Sequence, residues 1–250
     1  MKRVFNEKIL PVSVLLLGIA GCALRAGLYA YGVDHRGLLV RLHPTELGLW
    51  LTAAVTVALV LLAVRRMDGP NAFDRNFRYS LWASMGHILL ASGILLTVLT
   101  HAPSLPGLVG KLWKLLGVAS APLLFYGAFS RVLGKKPNFL CYVVTCVFFA
   151  FHLVCHYRVW CSDPQLQNYL FDFIGTIGLM VFAYYQAAFC VGSGSRRHQL
   201  TAGLLTGYLC IVNLPTTQYL YLYLGGAVWA LTGLCTLEAP QAAADENAAA

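Results

Sequence analysis

Hydrophobic residues in this chain come in long unbroken runs, not in the two-residue or three-to-four-residue rhythm of half-exposed elements. The runs cover residues 9–31, 46–64, 81–100, 112–133, 139–157 and 169–191. Each is close to the ~20 apolar residues a helix needs to cross a bilayer. A last stretch, 200–237, holds 38 residues. As one helix it would reach ~57 Å, nearly twice the ~30 Å hydrocarbon core. Pro215 interrupts it, with Asn213 and Gln218 on either side, so it divides into 200–214 and 217–237. The pattern predicts an all-α, polytopic transmembrane bundle of eight helices in a single domain, residues 1–237. Seven is the alternative count, because 200–214 is short for a span. Residues 238–250 read as a flexible cytoplasmic tail.

Composition agrees with the pattern and removes other classes. Hydrophobic residues make up 58% of the chain and charged residues 11%, where a soluble domain carries roughly 25% charged. Neither a water-soluble globule nor a disordered chain has this make-up. The net charge of +8, from 18 Lys+Arg against 10 Asp+Glu, would suggest nucleic acid in a soluble chain. Here its distribution follows the threading. With the amino terminus inside, the inner segments carry Lys2, Arg3, Lys8, Arg65, Arg66, Arg75, Arg78, Arg131, Lys135, Lys136, Arg196 and Arg197. The outer ones carry Arg36, Arg41, Lys111, Lys114 and Arg158. The inner excess implies that both termini are cytoplasmic, and leaves no case for nucleic-acid binding. Trp50, Trp82, Trp113 and Trp160 fall near the expected membrane–water boundaries.

Eight cysteines are present, seven of them in apolar runs, with no CxxC spacing, so no disulfide framework or zinc ribbon is signalled. Ile19-Ala20-Gly21-Cys22 after a basic amino terminus has the look of a lipobox; an uncleaved first helix explains it better, because the apolar pattern continues to Tyr31. No internal repeat is readable.

Several polar patches carry a likeness. They are Asp34-His35-Arg36-Gly37-Leu38, His43-Pro44, Phe73-Asp74-Arg75, Tyr157-Arg158-Val159-Trp160-Cys161-Ser162-Asp163-Pro164, Asn168-Tyr169-Leu170-Phe171-Asp172, Tyr184-Tyr185 and Gly192-Ser193-Gly194-Ser195-Arg196-Arg197. Their order and spacing resemble a group of multi-pass membrane proteins from clostridial, gut-type Firmicutes bacteria. The resemblance implies a bacterial plasma-membrane location. It carries no reaction, substrate or cofactor.

Ionisable groups inside the spans are the candidate functional residues, since each needs a partner, water or a task. Arg25 lies ~9 Å inside the outer end of the first helix. It shares a face with Val14, Gly18, Gly21, Cys22 and Tyr29, small enough in part to admit another helix. Asp172 lies one turn inside the outer end of the sixth helix, on a stripe with Gly175, Thr176, Leu179, Ala183 and Gln186. The two depths agree to within ~5 Å. An Arg25–Asp172 ion pair is therefore expected, either locking the bundle or flanking a ligand.

His152 and His156 stand at i and i+4 on the fifth helix, with Cys155 between them. Such a pair is half of a zinc set at most. Further ligands would have to come from Cys155, His101, His43, Asp163 or Asp172, while His87 lies near the opposite face. The outer segments are polar beyond their length: Asp34, His35, Arg36, Arg41, His43 and Glu46 in the first, and Arg158, Ser162, Asp163, Gln165 and Asn168 in the third. With Arg25, Asp172 and Asn213 they form an expected outward-facing vestibule. Pro44-Thr45-Glu46 and Asp163-Pro164 also read as helix starts. Gly192–Ser195 lacks the Lys-Ser/Thr of a phosphate loop and reads as a flexible turn.

No catalytic motif, cofactor or metal site is legible. The expected function is binding or permease-like transport of a small polar or anionic solute at Arg25, Asp172, His152, His156, Glu46 and Asn213. Alternatives are a non-catalytic partner or sensor of other membrane proteins, and a His-ligated intramembrane metalloenzyme.

Overall fold

The computed structural model describes residues 2–34, 39, 43–65, 67, 73, 76–77, 80–101, 107–161 and 167–235, with side chains except at 2–8, 158–160, 167–168 and 235. These residues form eight helices: α1 (Lys2–Tyr31), α2 (Pro44–Val64), α3 (Leu81–Thr100), α4 (Leu108–Val132), α5 (Leu140–Cys161), α6 (Gln167–Val191), α7 (Arg196–Asn213) and α8 (Leu220–Cys235). There is no strand among them, only an isolated bridge between Val33 and Leu39. Six helices, α1 to α6, are long and apolar enough to cross a membrane.

The long stretch breaks where Pro215 predicts, and the eight-helix count holds. Its two halves differ from expectation at their ends. α7 begins at Arg196, not at 200, and α8 begins at Leu220, not at 217. α7 starts early because Arg196 and Gln199 are buried rather than bathed in solvent. Packing also explains why α7 escapes a hydropathy window: it touches α1, α2, α6 and α8, so little of its surface meets lipid and it can carry polar residues.

Helices α3, α4, α5, α6, α7 and α8 close a ring in which each packs on the next and α8 returns to α3. α1 and α2 lie outside the ring against α7. The lumen is filled by aromatic groups. At one level Trp229 packs edge-on to Phe182, at 4.6 Å between centroids, and to His87 at 5.9 Å. At the other level Trp113 stacks on Phe148 and His152. Trp113 is fully buried, so its indole faces neighbouring helices and not the outside of the bundle. Trp82 is exposed; the side chain of Trp160 lies outside the described residues.

Consecutive helices run antiparallel, so the amino-terminal ends of even helices and the carboxyl ends of odd ones meet at one end of the bundle. Arg25, His101, His156, Asp172 and Asn213 lie there. At the opposite end Phe73, Asn76 and Phe77, between α2 and α3, fold over the ring. Phe77 meets Phe189 edge-on, Asn76 accepts from Arg196 Nη1 at 3.1 Å, and the Arg131 guanidinium sits 4.9 Å from the Phe77 ring centroid. Arg131 and Arg196, counted above among the inner-segment charges, are thus buried.

The turns at that end are short and tied. α4 and α6 end in Gly134 and Gly192 at φ 64° and 84°, where a side chain would strain the backbone. In each case the next amide reaches back five residues, Lys135 to Ser130 at 2.9 Å and Ser193 to Ala188 at 3.0 Å. Gly192–Ser195 is therefore a fixed helix stop and not a loose linker.

The α3–α8 seam is the closest helix approach. A Cβ on Gly86 would lie 2.9 Å from Trp229 Cα, and one on Gly93 2.9 Å from the Tyr221 carbonyl carbon, so backbone meets backbone. Gly93→Ala is expected to lower stability by about 1–3 kcal/mol through overpacking. Gly127→Ala, where the nearest atom stands at 3.5 Å, should be neutral or stabilising by up to about 1 kcal/mol. Thermal unfolding of the two variants in detergent checks the ordering, and equal losses would contradict the packing.

Candidate functional site

Two physical demands meet at the Arg25 end. A guanidinium inside an apolar bundle must be compensated, and a helix broken inside the bundle must find partners for its backbone. Arg25 is 2% exposed. It gets there because its face of α1 is small where α7 approaches: a Cβ on Gly18 would lie 3.1 Å from Ile211, and one on Gly21 would meet Val212 at 2.8 Å. Its Nη1 donates to Asn213 Oδ1 at 2.5 Å, on the last turn of α7. Its Nη2 donates to Asp172 Oδ2 at 3.4 Å, on α6. Its planar face lies 5.0 Å from the Phe171 ring centroid. Asn213 completes the clamp by donating Nδ2 to the Phe171 carbonyl at 2.8 Å.

Asp172 is anchored through its backbone. Its carbonyl accepts from the Thr176 and Tyr223 hydroxyls, each at 2.8 Å, and those hydroxyls lie 2.9 Å apart. Its carboxylate is only half committed. Oδ2 meets Arg25, whereas Oδ1 is buried with no hydrogen-bond partner. The Thr217 hydroxyl neighbours the carboxylate without reaching that oxygen in hydrogen-bond geometry, and accepts from Tyr219 N at 3.0 Å instead.

Beside Asp172 opens a cavity of about 150 Å³. Thr216, Thr217, Gln218 and Tyr219, the turn between α7 and α8, form one wall; Tyr29 from α1 and Tyr169 and Asp172 from α6 form the other. The turn is what a proline break leaves: the amides of Thr216 and Thr217 both return to the Asn213 carbonyl, at 3.2 and 3.1 Å. Thr216 Oγ1 is buried with no partner. A smaller cleft of about 20 Å³ adjoins Arg25 on its other side, lined by Glu46, Trp50 and Phe171 among others.

Tyr219 links the cavity to the histidine pair. Its hydroxyl shares a hydrogen bond with His156 Nδ1 at 2.8 Å. The His156 and His152 rings lie 4.3 Å apart, and Trp113 Nε1 donates to His152 Nδ1 at 3.3 Å. That bond makes Nδ1 an acceptor and puts the proton on Nε2, which is buried with no partner. His101 packs on the opposite side of Tyr219, at 5.1 Å between centroids.

The structure thus joins five of the six predicted residues into one network: Arg25, Asp172 and Asn213 by direct contact, His152 and His156 through Tyr219. Glu46 lines the small cleft together with Arg25. Arg25 donates to Asn213 and Asp172, and of the clamp residues it is Asp172 that lines the large cavity.

Among the other residues weighed, His43 caps α2, its Nδ1 accepting from Thr45 N at 3.4 Å and pairing with Thr45 Oγ1 at 2.6 Å. Cys155 is buried and free. Among the described residues, no three His, Cys, Asp or Glu converge on a metal position. His87 lies at the opposite end, bonded to the Ala83 carbonyl at 2.7 Å and the Tyr142 hydroxyl at 2.9 Å. His35, Arg36, Arg41, Ser162, Asp163, Pro164 and Gln165, and the side chains of Arg158 and Asn168, lie outside the described residues.

Sequence reasoning missed Tyr169, Thr216, Thr217 and Tyr219. A signal existed for the last three. Non-helical backbone at membrane depth is tolerated where it lines a cavity, so the residues after Pro215 were candidates on that ground alone.

Comparison of the chain with protein families, with curated proteins and with solved structures found no match in any of the three.

The clamp makes a quantitative demand. Arg25→Met leaves Asp172 buried without its cation and should cost about 3–5 kcal/mol. Arg25→Met with Asp172→Asn should cost less than the sum of the single changes by about 1–3 kcal/mol. Unfolding midpoints of the four proteins in matched detergent measure the coupling, and strictly additive losses would show that the two residues do not stabilise each other.

Proposed function

We propose that this is an integral membrane protein that binds a small polar solute in the cavity beside Asp172 and carries it by a permease-like mechanism. One observation carries the reading. Two residues that line the 150 Å³ cavity, Asp172 and Thr216, each keep a buried oxygen without a hydrogen-bond partner, Oδ1 and Oγ1. An unmade buried hydrogen bond costs about 1–3 kcal/mol, and two such groups beside one hollow support a site that a solute completes. The position of the cavity supports the same reading: it lies at the gap between two short helices, the place where transporters coordinate their substrates.

Bilayer, side and organism belong to the same proposal. The loop charges support a cytoplasmic location for the end that carries Lys135, Lys136 and Arg197, and an external mouth for the cavity. The clostridial likeness of the polar patches supports a bacterial plasma membrane.

Two outcomes test the proposal. Fusions of a periplasm-active reporter after residue 136 and after residue 193 should be silent, and one after residue 104 active; the reverse pattern would put the cavity on the cytoplasmic side. In a panel of small polar solutes, at least one should raise the unfolding midpoint of the purified protein. That rise should vanish in Thr216→Trp, which fills the cavity, and survive in Lys136→Ala at an exposed position.

A further inference from the structure

The sign of the charge on the cavity wall restricts the solute. The only ionisable group on that wall besides the three tyrosine hydroxyls is Asp172. Arg25, the cation nearest to it, contacts the other carboxylate oxygen, Oδ2, and lines the neighbouring cleft. The contact is loose: 3.4 Å, against ~2.7–2.9 Å for a charge-assisted hydrogen bond, while the shorter bond of Arg25 goes to neutral Asn213. The carboxylate is thus held only loosely by its cation, and its Oδ1 has no hydrogen-bond partner.

From this geometry we infer that the cavity takes a small organic cation, a primary ammonium, for which the Asp172 carboxylate is the counter-charge. The inference rests on reading the cavity as a solute site, and narrows the small polar or anionic solute expected above to one of positive charge. An anion would approach the carboxylate with no cation among the residues that line the cavity to receive it. A neutral alcohol would add no charge to the single loose ion pair of Asp172. The rest of the wall suits an alkylammonium: Tyr29, Tyr169 and Tyr219 present aromatic surface, to which cations are attracted and against which a short alkyl chain packs. The volume, about 150 Å³, is several times the roughly 10–15 Å³ that one water requires, so a ligand of a few heavy atoms fits without rearrangement.

Three probes of one shape and different charge test the inference on the full chain in nanodiscs: n-propylammonium chloride, 1-propanol and sodium propionate, each against sodium chloride at equal ionic strength. The expected result is a saturable rise in unfolding midpoint with n-propylammonium, at a half-saturating concentration about tenfold below that of 1-propanol, the ratio one charge-assisted contact supports. Sodium propionate should match sodium chloride. Asp172→Asn should bring n-propylammonium down to the level of 1-propanol. The ranking in the unmodified protein decides the ligand class even if that variant does not fold. Propionate or propanol equalling n-propylammonium would overturn the inference. If their shifts also disappear in Thr216→Trp, or in Gln218→Trp at the exposed rim, the solute site stands and only its ligand class is wrong. If no probe shifts the midpoint, or both filled variants respond like the unmodified protein, the solute site itself falls and the ammonium inference with it.

Discussion

The burial of one guanidinium organises the Arg25 end of this bundle. A cation cannot rest in an apolar seam alone, and Arg25 is held by groups on two other helices: the Asn213 amide on α7, and the Asp172 carboxylate and Phe171 ring on α6. The clamp has a consequence for α1. Only α2 and α7 pack extensively on that helix, so it stands outside the closed ring, and its polar tether to α6 runs through Arg25. Asp172 is oriented by the same clamp. With Oδ2 drawn toward Arg25 and the Asp172 carbonyl held by Thr176 and Tyr223, Oδ1 is left without a hydrogen-bond partner.

The second constraint is backbone chemistry. Pro215 cannot continue α7, and the amides freed by the break need new partners. Asn213 resolves this with two groups: its carbonyl accepts the amides of Thr216 and Thr217, and its side chain bridges Arg25 and Phe171. The same residue ends the helix, receives the charge and starts the cavity wall. A substitution at Asn213 would therefore disturb packing, electrostatics and cavity shape together, so it is a poor tool for separating them. Thr216 touches the cavity without entering the clamp, which makes it the cleaner probe.

Much of this was readable from residues alone. Run lengths fix the helix count, because lipid imposes the length, and Pro215 splits the last run because a 38-residue helix has nowhere to go. Arg25 and Asp172 could be paired because antiparallel threading converts sequence position into depth. What stayed hidden depends on neighbours. Hydropathy describes what faces lipid, so it under-reads α7, whose polar Arg196 and Gln199 are covered by other protein. Trp113 has the position of an interface tryptophan, and only ring closure sends it into the lumen against His152. The cavity was hidden for a related reason: depth shows that Arg25 meets Asp172, but not which oxygen it takes or which of the two residues lines the larger hollow.

Unsatisfied buried atoms occur elsewhere, and their chemistry separates them. Gln199 has neither its amide nitrogen nor its carbonyl oxygen bonded, yet it is neutral, and neither cavity described above is lined by it. Its penalty is that of a desolvated dipole, which a packed bundle can absorb. Asp172 differs in charge and in setting. A carboxylate oxygen without a donor is the costlier omission, and its residue lines a cavity. A fold selected for stability alone could place Asn at this position and still accept one bond from Arg25 and keep the backbone contacts with Thr176 and Tyr223. Keeping an acidic group there, against one long ion pair, makes physical sense when something else arrives to complete it.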